Sequence, residues 1–275
     1  MGTWVILALV AGLFAPGTEG FVELNGTKTA VRWSDGDSFK ILDGRFRGHG
    51  TRLMGYNTLE SYGPVHSWGE FTKLDLFFMA KKGKDYAASK VWKCTADAAR
   101  MDHYKRLLVD CPELVTFMVG EGHGHLFAIG DAPSPESLAA QLEAIKQGKG
   151  MWRKGVPKGI ITSLHSDDEG TGAYNRLADP LTGIARKVEH NEKYKECQSV
   201  CMEGSCMLYV PFKRRYGRKK APCITYKPKH KRGYKYKKGA QHKVPEHAAS
   251  KPAVPMPVAP EHAAPNPAVG SGGAK

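Results

Sequence analysis

The apolar pattern changes period several times along the first 150 or so residues. Val22–Arg32 and Ser38–Leu42 read as strands, Asp43-Gly44 is a turn signal, and Thr51–Tyr56 reads as a third strand. Val65, Trp68, Phe71, Leu74 and Phe78 recur at intervals of three to four, which predicts a helix over Val65–Lys82 that Gly83 stops. Strands follow near Lys90–Cys94 and Lys105–Val109, then a helix near Pro112–Val119. Ser134-Pro135 starts another helix, with Ser as cap and Pro at the first helical position. Leu138, Leu142 and Ile145 form its predicted inner face, and Gly148 and Gly150 end it.

Five short strands with interleaved helices predict an α+β fold, a five-stranded barrel of the OB type with about three helices. This gives a domain over 21–155. A small cysteine-containing block follows over 156–223, and its core portion (160–211) is too short to bury much on its own, so disulfides would help it. Residues 213–243 are basic with Tyr216, Tyr226, Tyr234 and Tyr236 interleaved, and are expected to form an arm. The Pro- and Ala-rich remainder, 244–275, repeats Pro-Glu-His-Ala-Ala at 245–249 and 260–264 and is expected to be disordered.

Charge sharpens this division. The chain carries 41 Lys and Arg against 27 Asp and Glu, a net of +14. Residues 1–212 are neutral overall, and the whole excess falls within 213–251, which holds 15 cations and one acid, Glu246. With 41% hydrophobic residues the chain can build a core, which excludes chain-wide disorder. No apolar run reaches the roughly 18 residues of a membrane span.

The run Trp4–Ala15 suits the apolar part of a secretory signal over 1–20, with small residues at Ala15 and Gly17 or Thr18 and Gly20 permitting cleavage. The competing reading is a buried N-terminal strand or helix. Six cysteines fit a secreted or periplasmic protein with disulfides. Cys94 and Cys111 would sit on adjacent antiparallel strands. For Cys197, Cys201, Cys206 and Cys223 zinc is the rival, but their spacing matches no common zinc pattern.

The chemistry concentrates between Arg32 and Pro64. Asp35, Asp37 and Glu60 offer the hard oxygens that calcium prefers. Arg52 shares their segment, and Arg106 closes the run Asp102-His103-Tyr104-Lys105-Arg106. Carboxylates for a cation, arginines for an anion and a carboxylate for a water would suit phosphodiester hydrolysis, where positioning and charge neutralisation dominate. Scattered acids and arginines are ordinarily solvated surface, so the set gains weight from its order. His123 and His125 form an H-x-H best read as turn and core residues, and His66 has no evident partner.

Asp-Gly-Asp-Ser, Arg-Leu-Met-Gly-Tyr-Asn-Thr-Leu-Glu, Tyr-Gly-Pro and Asp-His-Tyr-Lys-Arg occur in the order of the staphylococcal nuclease (thermonuclease) family, which this sequence resembles from Val31 to Trp152. The resemblance implies an OB-fold nuclease that cuts DNA and RNA with calcium and leaves 3′-phosphates. It implies Asp37 as a calcium ligand with Asp35 in support, joined by Asn57 and the Thr58 carbonyl. Glu60 would handle the attacking water, Arg52 the scissile phosphate and Arg106 the developing charge. Tyr104 would contact a neighbouring phosphate, with Lys105 beside it. Three positions depart from the family: Asn57 replaces a carboxylate, Leu59 a proline, and Lys105 a common glycine. Other readings are a catalytically inactive nucleic-acid-binding module and a basic surface-anchoring protein. The arm would meet nucleic acid or an anionic surface, or act only as a solvated extension. Oligomeric state is not legible in the sequence.

Overall fold

The computed structural model describes residues 18–170 and 172–226. The fold is α+β, built on a six-stranded, nearly closed barrel-like sheet. Its first hairpin is β1 (Thr18–Leu24) with β2 (Thr27–Trp33), joined at Asn25-Gly26. Both turn residues have positive φ, 50° and 80°, the backbone that an Asn-Gly pair supplies to a two-residue hairpin. The predicted strand Val22–Arg32 is therefore two strands, which is one reason the sheet has six rather than five.

β3 (Phe39–Ile41) and β4 (Thr51–Leu53) form the sheet's two edges. They meet through a Lys40–Gly50 bridge and through the Thr51 hydroxyl, which bonds both the Phe39 N–H and its carbonyl at 3.1 and 2.9 Å. Short β5 (Tyr56–Asn57) and β6 (His66–Trp68) follow, then α1 (Lys73–Ala87), β7 (Trp92–Met101), β8 (Leu107–Asp110) and α2 (Pro112–Gly120). The sheet order is β3-β2-β1-β7-β8-β4. Alternate strand residues Val22, Val31, Trp33, Ile41, Leu107 and Val109 point inward and are completely buried. Leu114, Met118 and Val119 of α2 pack against the same core.

The predicted helix at Val65–Lys82 starts late. Its first residues form β6, and the helix begins after Thr72, whose hydroxyl and Asp75 carboxylate make a capping box. Gly83 does not stop it. The buried face is Leu76, Ala80, Gly83 and Ala87, while Leu74 and Phe78 are exposed. β9 (His125–Leu126) pairs with β5, and α3 (Pro135–Lys146) begins at the Ser134 cap as expected. Its buried face is Ser137, Gln141 and Ala144 rather than one centred on Leu142, which is exposed. Gln141 is tolerated there because it bonds the Leu126 N–H and the Pro180 carbonyl, each at 2.6 Å.

β10 (Ile160–Leu164), β11 (Tyr174–Ala178) and β12 (Ala185–Glu189) form a second antiparallel sheet. β13 (Ser199–Met202) and β14 (Ser205–Leu208) form a hairpin, and β14 pairs with β6. Tyr62 and Val65 share a core with Ile161, Leu177 and Tyr209, so the block after 156 packs on the segment between β5 and β6. Three disulfides join Cys94–Cys111, Cys197–Cys223 and Cys201–Cys206, which pairs all six cysteines.

The basic arm over 213–243 also needs revision at its start. Lys213–Tyr226 is folded: α4 (Phe212–Arg215) is followed by a single 3-10 turn at Pro222–Ile224, whose Ile224 is 2% exposed. A Cβ on Gly63 would fall 2.3 Å from Ile224 Cβ, so glycine there lets the segment close down. At the other end, Thr18–Gly20 belongs to β1, and residues 1–17, with the expected signal run, lie outside the described residues. The remaining arm and the repeat-bearing tail lie outside the described residues. No helix among the described residues is long and apolar enough to cross a membrane.

Candidate functional site

The turn between β2 and β3 carries the first two acids. Asp35 Oδ1 accepts from the Asp37 N–H at 3.2 Å and the Ser38 hydroxyl at 2.5 Å, a local pattern that Asp-x-Asp-Ser can close within itself. The turn is held from outside by the Leu53 N–H, which donates to the Asp37 carbonyl at 3.0 Å. The buried Tyr56 hydroxyl donates to the Gly36 carbonyl at 2.5 Å.

On β4, Thr51 and Leu53 point inward, so Arg52 between them faces the opposite side. Its Nη1 meets Asp37 Oδ2 at 2.8 Å and its Nη2 donates to Asn57 Oδ1 at 2.8 Å. Asp37 Oδ2 also accepts the Thr58 N–H at 2.9 Å. The Glu60 N–H donates to the buried His66 Nε2 at 3.2 Å.

The Asp102–Arg106 turn brings in the second arginine. Asp102 Oδ1 accepts from the Tyr104 and Arg106 N–H groups, and its Oδ2 accepts from Arg106 Nε at 2.8 Å. Lys105 has φ +64°, the left-handed region that glycine adopts without steric cost. The Lys105 side chain is exposed and is not part of the cavity wall.

Asp35, Asp37, Arg52, Thr58, Glu60, Tyr104 and Arg106 line one open cavity of about 480 Å³. Phe212, Arg215 and Tyr216 form another part of its wall. The sequence places Arg215 and Tyr216 in the basic arm; the one cue to the contrary is Cys223 downstream, which a disulfide draws back onto the fold. Arg52, Glu60, Tyr104 and Arg106 also border a longer groove of about 590 Å³ that reaches Arg176 on β11.

Electrostatics follow from the crowding of acids. The Asp35 carboxyl is raised well above the usual range by burial and then by Asp37. Burial and Asp37 raise Glu60 to about 7, against the pull of Arg215, Arg52 and Arg106. Burial opposes the charge on Arg52, but Asp37, Asp35 and Glu60 together hold its pKa above the ordinary value. Burial keeps His66 and His125 neutral, lowering them to about 3 and about 4. His125 Nδ1 donates to the Leu126 carbonyl and His123 stacks on Tyr86, so the H-x-H serves packing.

Among the described residues no three His, Cys, Asp or Glu side chains are grouped to hold a metal. The donor chemistry nevertheless fits a hard cation: Asp35 and Asp37 are adjacent oxygen donors, and their mutual repulsion is what a divalent charge relieves. Asn57 is differently employed, since its side-chain oxygen is held by Arg52. No family model and no curated protein matches the chain.

Proposed function

We propose that the chain is an exported, calcium-dependent nuclease of the OB-fold thermonuclease type, hydrolysing DNA and RNA to 3′-phosphates. One observation carries this reading. Three stretches of chain, 35–37, 52–60 and 104–106, supply carboxylates and arginines to a single cavity, in the order their motifs have in the resembled family. The six-stranded sheet serves as the OB barrel, with the β1–β2 hairpin dividing one predicted strand.

Calcium, held by Asp35 and Asp37 with the Thr58 carbonyl, would neutralise the phosphate charge. Arg52 and Arg106 bind the phosphoryl oxygens, and the Asp102 carboxylate fixes Arg106 for that task. Glu60, raised to about 7, is matched to taking a proton from water near neutral pH. The water gives a proton to Glu60 as its oxygen bonds to phosphorus, the bond to the 5′-oxygen breaks, and that oxygen takes a proton from solvent and leaves as a hydroxyl. The phosphate stays on the 3′-oxygen.

Three disulfides support an oxidising compartment, secreted or periplasmic. The start of β1 at Thr18 favours cleavage after Gly17, because cutting after Gly20 would remove three of the strand's seven residues.

A second reading, a catalytically silent nucleic-acid-binding module, draws on the engagement of both Arg52 Nη groups by Asp37 and Asn57. Plasmid digestion by the purified chain, with calcium and with chelator, separates the two. The nuclease reading expects nicking and linearisation only with calcium; retention of the plasmid without cleavage at any calcium concentration supports the silent module.

A further inference from the structure

The block that follows the barrel reaches the acidic cavity through Phe212, Arg215 and Tyr216. Tyr104, Phe212 and Tyr216 are 59%, 65% and 58% exposed, the three most exposed aromatic side chains among the described residues. All three border the same acid- and arginine-lined cavity. Exposed aromatic rings are costly to leave in water, and three around one cavity suit a ligand with flat faces. A polyanion with flat faces is a nucleic-acid strand.

Arg215 is held beside them in a fixed pose. Its Nε donates to the Val210 carbonyl at 2.9 Å, and its guanidinium lies 5.4 Å from the centre of the Tyr62 ring. Its Nη groups make no hydrogen bond among the described residues, whereas Arg52 commits both of its own. Neighbouring Arg214 is paired with Glu196 at 3.1 Å, so the two arginines of this short helix have different employment. The Cys197–Cys223 disulfide and buried Ile224 anchor the segment, and Tyr216 packs edge-on to Tyr62 at 5.9 Å.

We propose that segment 212–216 is the second jaw of a nucleic-acid subsite, with Arg215 gripping a phosphate of the bound strand and Phe212 and Tyr216 stacking on its bases across from Tyr104. The subsite deepens the nuclease reading and rests on it for the identity of the strand. It makes the C-terminal block part of substrate binding rather than an appendage.

The test uses the full chain with Glu60→Gln, which blocks cutting, and a short fluorescein-labelled single-stranded oligonucleotide followed by polarisation. Arg215→Ala should weaken binding by about tenfold, the scale of one lost contact, and the double change Phe212→Ala, Tyr216→Ala, which removes two stacking rings, by at least about thirtyfold. Lys213→Ala removes an exposed charge of the same helix and should cost less than about twofold. In the chain that keeps Glu60, the same variants should raise KM more than they lower kcat. Circular dichroism confirms that each variant is folded. Variants at 212, 215 and 216 that bind like Lys213→Ala overturn the subsite and leave the nuclease reading standing. Graded loss of binding in a chain that never cuts supports the subsite and removes the nuclease reading. No binding by the parent chain overturns both.

Discussion

Gly36 sits where the barrel, α1 and the acidic turn come closest, and replacing it with alanine tests how the site is positioned. An added Cβ would lie 2.7 Å from Thr58 Cγ2, 3.2 Å from the Gly83 carbonyl carbon and 3.2 Å from Met118 Cε. Met118 can adjust its side chain; the Gly83 backbone in α1 and the β-branched Thr58 cannot move far. The φ of Gly36 is not positive, so the penalty is one of space and not of backbone conformation. Overpacking of this degree costs about 1–3 kcal/mol. For a chain of this size each kcal/mol lowers the melting temperature by roughly 2–4 °C. Relief by moving the turn would pull Asp37 from the Thr58 N–H and from Arg52, so calcium affinity should fall as well. Thermal melts and calcium titrations of Gly36→Ala, beside Gly50→Ala, provide the comparison. Alanine at 50 meets only Arg106 Cγ, at 4.0 Å, and should be nearly neutral. A Gly36→Ala protein with parental melting and calcium response would refute the reasoning that links close packing to the site.

Lys105→Gly removes a side chain from a left-handed position and should stabilise the fold by about 1 kcal/mol without loss of cutting, read by urea denaturation and plasmid digestion. Asn57→Asp adds a carboxylate next to Arg52 and should shift the calcium midpoint of cleavage to lower concentration; an unchanged midpoint would argue against a cation near residue 57. Replacing both Cys197 and Cys223 with serine opens a loop of 26 residues and should cost about 3.5 kcal/mol by chain entropy, with a rise in KM as the Arg215 wall loosens. In acid, His66 and His125 are neutral when folded but protonate when unfolded. The unfolded chain therefore binds more protons, and stability present above 6.5 is lost as pH falls toward 4. Glu60 acts oppositely, since its raised pKa gives stability that is present below 4.5 and lost as pH rises through about 7. Glu60→Gln should thus steepen the fall in melting temperature between pH 6.5 and 5 in metal-free buffer; an unchanged or shallower slope would contradict the assignment.

The geometry of the two acidic turns was legible because their residues act locally. Asp35 closes its turn on Asp37 and Ser38, and Asp102 on Tyr104 and Arg106, so short motifs carry their own geometry. The Cys94–Cys111 pairing was legible for a similar reason, from the adjacency of two predicted strands. Helix faces were not. The apolar stripe Leu74 and Phe78 suggested one face of α1, but the buried one is small, because Gly83 packs close to Gly36. Gln141 is buried by long-range hydrogen bonds that no periodicity records. The place of 212–216 in the cavity wall was missed because a cation-rich sequence looks the same whether it is solvated or pinned. Its fold depends on Cys223 and Ile224 meeting partners 26 and about 160 residues away.

The central claim is that the cavity between Asp35, Arg52, Glu60 and Arg106 hydrolyses phosphodiesters with calcium. Its most direct test is cleavage of an end-labelled oligonucleotide across a calcium titration, with parent chain and Glu60→Gln side by side. The account predicts calcium-dependent products ending in 3′-phosphate from the parent chain, and a loss of at least about a hundredfold in rate for the variant. Cleavage that ignores calcium, or that survives Glu60→Gln at the parent rate, would contradict it.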